Sequence, residues 1–391
     1  MQSPRARCFQ HPLVCVVECD NFVTRRRLLV GAAASALSLG ARSVRPATRS
    51  ARVVFLNPGE SVERSTGKQW QLVVRFMAAA AKALDMQLEV LYAERDYMLM
   101  LRQAEAVANR SSVPDYVVVV NEKGIAPRIF DVLRRIKSRI VLIHNDLTDQ
   151  QRAVVGDERG QIANWIGTVT ADARRGGYRL MNFLCRSQTA SQPSVIGITG
   201  DPMTPVSTER AQGVRDWLAA VPNARLNQLV YSDWSFSDSY EKVCVLLKRY
   251  PDTNLIWAAN DSMTLGALNA CRTCGGRAAV GGMGALPEAL IRVKSGGLSA
   301  MMAGDYFIGA FAMVLIHDHY RGVDFALLGG ARKKLDFLTV VSERNAASYY
   351  ELLFGGLGDP DFSIFSKYIH PGSGGYDFQI DRLLSHVKKF S

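Results

Sequence analysis

Trp257-Ala258-Ala259-Asn260-Asp261-Ser262-Met263-Thr264-Leu265-Gly266-Ala267, WAANDSMTLGA, is the stretch on which the fold turns. The apolar run at 254–259, NLIWAA, stops at an Asn-Asp pair, and a helical pattern follows at once. A short, continuous apolar run feeding directly into a helix is the repeating unit of a parallel α/β sheet. The polar pair at the seam has two readings. Asn and Asp side chains accept the orphan N–H groups of a helix's first turn, so one reading is capping. The other is a ligand, because open α/β sheets bind ligands beyond the carboxyl ends of their strands.

Outward from this seam the same unit recurs. Strand-like runs are predicted at 52–57, 88–93, 116–121, 140–145, 165–170, 195–200, 226–232, 254–259, 278–283 and 298–303. Helical stretches lie between most of them, among them 70–85, 125–138, 173–186, 239–250 and 263–273. This is about twice the strand number of one doubly wound sheet. The predicted fold class is therefore α/β, with two doubly wound parallel-sheet lobes. Right-handed crossovers place every strand-to-helix loop of a lobe on one edge. Those loops carry Asn57-Pro58-Gly59, Asn121-Glu122-Lys123-Gly124, His144-Asn145-Asp146, Asp201, Thr208-Glu209-Arg210, Asp233-Trp234 and Asn260-Asp261. Amides and carboxylates bond hydroxyl groups, and indole faces cover the apolar face of a sugar ring. If the two edges face each other, the loops converge on a cleft suited to a neutral polyol.

The 391 residues carry a formal net charge of +11. Residues 1–50 hold eight Arg against Glu18 and Asp20, which leaves only +5 for the rest. No basic block with interleaved aromatics remains to follow a phosphate backbone, so no nucleic-acid partner is expected. The excess charge belongs to a leader: Thr24-Arg25-Arg26-Arg27-Leu28-Leu29, then VGAAASALSLG, then ARS. A basic patch, a short apolar run and small residues make a secretory signal. The paired arginines resemble a twin-arginine signal, with an ordinary signal rich in arginine as the alternative. Residues 1–50 are read as the export leader and the periplasm as the destination. The run FIGAFAMVLI at 307–316 is too short to span a bilayer, so no stable membrane insertion of the mature chain is expected.

At this level of detail the chain resembles the ribose-binding-protein-like periplasmic substrate-binding proteins of ABC sugar importers, whose ligand domain is shared with LacI-type repressors. The resemblance covers roughly 51–340. It rests on Asn57-Pro58 with Trp70 opening the first helix, on Arg210-Ala211-Gln212-Gly213-Val214, on Trp234, and on AANDSMTLGA. It implies hinge crossings that divide the chain into an N-lobe of 51–168 with 305–340 and a C-lobe of 169–304 with 341–391. It also implies Asn57, Trp70, Asn121, Asn145, Arg210, Trp234, Asn260 and Asp305 as ligand contacts. Asn260 shifts from cap to ligand on this basis, and Asp261 keeps the capping reading. The partners implied are a small sugar or polyol and an ABC permease, or alternatively a membrane sensor. A repressor is disfavoured because the N-terminus reads as a signal rather than a helix-turn-helix. The chain also departs from the ribose pattern. Asn145-Asp146 stands where ribose binders carry Asp-Arg, Gly282-Met283-Gly284 lacks the usual carboxylate, and Gly304-Asp305 replaces a hinge Gln.

Other chemistry is not supported. Cys271-Arg272-Thr273-Cys274 is a lone CxxC at the end of a helix, read as a local disulfide or two free thiols. Cys185 and Cys244 read as core. His317-Asp318-His319 places its histidines on different helix faces and reads as a solvated helix end. No nucleophile elbow, phosphate loop or complete dinucleotide loop is present. No catalytic residue, cofactor or metal is expected, and Gly281-Gly282-Met283-Gly284 reads as tight backbone.

Overall fold

The computed structural model describes residues 49–62, 68–187, 192–356, 358–372 and 374–387. The leader motif at 24–29 lies outside the described residues. Among the described residues the strands are β1 (Ala51–Asn57), β2 (Met86–Tyr92), β3 (Tyr116–Val120), β4 (Arg139–Ile143), β5 (Trp165–Ala171), β6 (Ser194–Thr199), β7 (Arg225–Tyr231), β8 (Leu255–Ala258), β9 (Ala279–Gly284), β10 (Ala300–Ala303), β11 (Arg332–Leu335) and β12 (Thr339–Val341). They form two six-stranded sheets, in the orders β11-β5-β4-β3-β1-β2 and β12-β10-β9-β8-β6-β7. Every pairing is parallel except β10 with β12. The two-lobed α/β reading holds, and each of the ten strands predicted is present within a few residues of its expected bounds.

The central strands are apolar throughout because helices cover both faces of a parallel sheet. Val117, Val118, Val119 and Val120 of β3 are fully buried, as are Ile256, Trp257 and Ala258 of β8. The chain passes between the sheets after β5, after β10 and between β11 and β12. These three crossings are the hinge. The helix Ile308–Tyr320 carries the apolar run considered above and packs against the helix Gln69–Ala83 of the first lobe. Among the described residues no helix is long and apolar enough to cross a membrane.

Two sequence readings are corrected here. Cys274 pairs with Cys244, not Cys271, at a Cα–Cα distance of 5.5 Å. The reason is helix packing: Phe236–Arg249 lies along Asp261–Thr273 and brings Cys244 to the end of its neighbour. Cys271 is a buried free thiol. His317-Asp318 is not a solvated helix end. Both residues are buried, because the segment after β12 folds back over them. Asp318 accepts hydrogen bonds from Ser366 Oγ (2.5 Å), the Lys367 N–H (2.6 Å) and Tyr376 OH (2.9 Å). That same segment stacks Phe378 on Phe311 at 4.5 Å between ring centroids. Further on, Gln379 Nε2 donates to the Asp336 carbonyl oxygen between β11 and β12.

Candidate ligand-binding site

The carboxyl ends of both sheets meet in one cavity between the lobes, about 640 Å³ with the open solvent at its mouth included. From the first lobe come Gln69 and Trp70 at the start of a helix, Arg95 after β2, Glu122 after β3, and His144 and Asn145 after β4. From the second come Thr204, Val206 and Arg210 after β6, Trp234 after β7, Asn260 and Asp261 after β8, and Leu286 after β9. Asp305 enters from the hinge after β10. Strand ends set most of these positions, as a parallel sheet requires.

Two indoles face this space from opposite lobes, and glycine makes room for each. A side chain at Gly59 would meet Trp70 at 2.3 Å, and one at Gly200 would meet the Trp234 ring at 2.1 Å. Backbone strain gathers at the same edge. His144 (φ 65°), Trp234 (φ 72°), Arg95 (φ 63°) and Ala285 (φ 90°) are left-handed without being glycine. Each costs about 1–3 kcal/mol and persists only where its surroundings hold it.

Asp305 is the electrostatic centre. Arg210 Nη2 lies 2.5 Å and His144 Nε2 2.9 Å from the same oxygen, Oδ2. Arg210 Nη1 also donates to the Ala259 carbonyl oxygen at 2.6 Å. Burial pushes the Asp305 carboxyl upward, but the neighbouring His144 and Arg210 outweigh it and hold the group well below the usual carboxylate range. Arg95 Nη2 lies 2.9 Å from Glu122 Oε1. The Val206 N–H donates across the cleft to Asn145 Oδ1 at 3.3 Å, which ties the lobes together.

At the seam 260–261 the helix cap is Asn260 rather than Asp261, the residue expected to cap. Asn260 is the cap: its Oδ1 accepts from the Met263 N–H at 2.8 Å, and its Nδ2 donates to the Trp234 carbonyl oxygen at 2.9 Å. It lines the cavity as well. An amide retains a second lone pair and a second N–H after these bonds. Asp261 ties down the loop after β9, where Oδ1 accepts from the Ala285 and Leu286 N–H groups at 2.8 Å each. Burial pushes its carboxyl up to about 6. A side chain at Gly284 would collide with this carboxylate, so the tight backbone expected at 281–284 makes room for Asp261.

Of the eight residues read from the sequence, Trp70, Asn145, Arg210, Trp234, Asn260 and Asp305 come together in the cavity wall. Asn57 and Asn121 do not. Asn57 Oδ1 accepts from the Gly59 N–H and shapes the turn that seats Trp70. Asn121 Nδ2 donates to the Asp146 carbonyl oxygen and to Gln151, and its Oδ1 accepts from the Ala126 N–H. Gln69, Arg95, His144, Thr204 and Leu286 were not named as contacts. All but Gln69 follow a strand end, which is the signal that could have found them. Asn145 Nδ2, Gln69 Nε2, Arg210 Nε, His144 Nδ1 and Thr204 Oγ1 are buried and have no hydrogen-bond partner among the described residues. Among the described residues no group of three or more His, Cys, Asp or Glu is arranged to hold a metal.

Two parallel lobes, three crossings and a polar, Trp-lined cavity between them define the type 1 two-lobed binding fold. Residues 61–322 match the periplasmic binding protein domain family, and the chain belongs to that family. A periplasmic sugar-binding protein from Pseudomonas fluorescens is 34% identical, with a TM-score of 0.75, over 85% of this chain and 99% of that one. A Caulobacter myo-inositol binding protein is 22% identical, with a TM-score of 0.61, over 76% of this chain and 94% of that one. An ABC transporter solute-binding protein from Actinobacillus succinogenes 130z with bound D-allose is 19% identical, with a TM-score of 0.66, over 76% of this chain and 100% of that one. The latter two share the fold. Comparison with curated proteins gives no match. The family is one of binding proteins rather than enzymes.

Proposed function

We propose that this protein captures a neutral sugar or sugar-like polyol between its lobes in the periplasm and delivers it to an ABC permease. The observation that carries the reading is the pair of indoles, Trp70 and Trp234, in one cavity with buried polar atoms that lack protein partners. Indole faces cover the C–H faces of a sugar ring, and the unpaired donors meet its oxygens. Charge balance favours a neutral ligand, since Arg210 is paired with Asp305 and Arg95 with Glu122. The sugar-binding relative from Pseudomonas fluorescens supports the same class. The leader read from the sequence supports export. In this reading Asn145, Arg210 and Asn260 bond the ligand, Trp70 and Trp234 stack on it, and Asp305 orients Arg210.

Mass spectrometry of small molecules released from the purified protein tests the proposal. A polyhydroxylated compound at close to one equivalent is the expected result, with its binding reproduced by calorimetric titration. A tightly held compound without several hydroxyl groups overturns the reading. So does conversion of the compound by the protein.

A further inference from the structure

His144 closes β4 in a left-handed conformation that only its surroundings can maintain. Its side chain is 6% exposed. The ring lies beside the Trp70 indole, 4.9 Å between centroids, and both line the cavity. Its two nitrogens have different neighbours. Nε2 lies 2.9 Å from Asp305 Oδ2. Nδ1 is buried without a partner among the described residues.

The charged groups around the ring are accounted for. Asp305 arrives from the hinge after β10, Arg210 from the helix Pro205–Ala220, and Arg95 and Glu122 from the ends of β2 and β3. Asp261 stands at the start of the helix Asp261–Thr273. Arg210 already supplies a cation to Asp305, so the imidazole need not be charged to sit there. A neutral ring donates Nε2–H to the carboxylate and keeps a lone pair on Nδ1. The other buried wall atoms without a hydrogen-bond partner are the donors Asn145 Nδ2, Gln69 Nε2 and Arg210 Nε, the Thr204 hydroxyl, and Glu122 Oε1, which is ion-paired with Arg95. The carboxylates are engaged elsewhere, Glu122 by Arg95 and Asp261 by two backbone N–H groups.

We propose that His144 is a specificity-determining residue: Asp305 fixes its ring through Nε2, and Nδ1 accepts a hydrogen bond from one hydroxyl of the bound sugar or polyol. This rests on the polyol reading above. A site built around an acceptor rejects an analogue that lacks the matching hydroxyl far better than an apolar pocket rejects an extra methylene.

The full chain, freed of bound small molecules by extensive dialysis, is titrated by calorimetry with D-ribose, D-allose, D-galactose and myo-inositol at pH 8. His144→Gln retains an N–H that reaches towards Asp305 but has no acceptor where Nδ1 stood. The parent is expected to bind at least one of the four. His144→Gln is expected to weaken that binding by about 5- to 150-fold at pH 8 with little change in the apo melting curve. Should His144→Gln not fold, His144→Asn stands in: weakened binding supports the assignment, and a parent-like affinity overturns it. Equal affinity of parent and His144→Gln overturns the His144 assignment alone. A parent that binds none of the four overturns the polyol reading and this assignment with it.

Discussion

Asp305 and Asp318 are buried carboxylates at the two ends of one piece of chain, the helix Ile308–Tyr320 with its lead-in turn. Asp305 meets cationic or titratable side chains from different lobes, Arg210 and His144, and the polar atoms around it are incompletely paired. Asp318 meets Ser366, the Lys367 N–H and Tyr376, all from one returning segment, together with its neighbour His317. Both carboxyls stay below the usual range although burial pushes them upward. Charge outweighs burial at Asp305, and hydrogen bonds from His317, Ser366, Lys367 and Tyr376 do so at Asp318. Burial therefore does not separate a binding site from a structural anchor; the completeness of hydrogen bonding does. A saturated network fixes one structure, while an unsaturated one keeps capacity for a ligand.

The largest effect is expected at Asp305. Asp305→Ala leaves the Arg210 guanidinium buried without its counter-charge, and breaking such a pair costs about 3–5 kcal/mol. Urea unfolding of the apo protein reads that loss, and titration with the co-purified compound is expected to show no binding. The comparison breaks if stability falls but affinity does not, because Asp305 would then be an anchor like Asp318.

Asp318→Ala is expected to cost about 1–3 kcal/mol, since it strips the acceptor from Ser366, Lys367 and Tyr376. Its signature is spatial. Limited proteolysis should cut the 355–376 stretch sooner than in the parent, while affinity stays within about twofold, as expected of a site that shares no partner with the cleft. A loss of affinity as large as that of Asp305→Ala would mean that the returning segment governs the hinge, where Gln379 touches the linker between β11 and β12.

Asn260→Ala comes next. Removing the cap should lower apo stability by about 1 kcal/mol. Because Asn260 also holds the Trp234 backbone, affinity should fall in the same variant. Asn260→Ser keeps a capping oxygen and drops the amide N–H, so it should recover much of the stability and little of the affinity. Melting curves beside calorimetry separate the two roles. Recovery of both quantities in the Ser variant would reduce Asn260 to a cap.

What was legible in the sequence followed from burial. Each strand that lies inside a sheet was an apolar run, so β1, β3, β4, β5, β6, β8, β9 and β10 could be read directly. β11, RKKL, and β12, TVV, could not. They are four and three residues long, the first is mostly charged, and only the hinge geometry makes them strands. Asn145, Arg210, Trp234 and Asn260 could be read because strand-end loops carry ligands in this fold class. His144 was quoted within its loop but not chosen, since no local pattern reveals a left-handed backbone or a carboxylate arriving from residue 305. The pairing of Cys244 with Cys274 was hidden for the same reason: a CxxC spacing is local, and the contact that decides the bond is between helices.

Asp261 supplies the smallest effect and a sign that distinguishes it from the other two carboxylates. Its folded-state carboxyl stands at about 6, raised by burial from the ordinary 3.8. The folded protein thus holds that proton more tightly than the unfolded chain does. The associated stability is fully present below the ordinary value and is lost as pH rises through about 6, the opposite of Asp305 and Asp318. Asp261→Asn removes the buried charge while its carbonyl oxygen still accepts from Ala285 and Leu286. Two terms oppose each other in the variant, relief of desolvation and weaker hydrogen bonds to a neutral acceptor. The expected net gain is under about 1 kcal/mol at pH 8, and it shrinks towards pH 4.5, where the parent's carboxyl is already protonated. Melting both proteins across that range reads the change. A gap that does not vary with pH would show that Asp261 carries no titrating charge there, and a gap that widens on acidification would place it with Asp305 and Asp318.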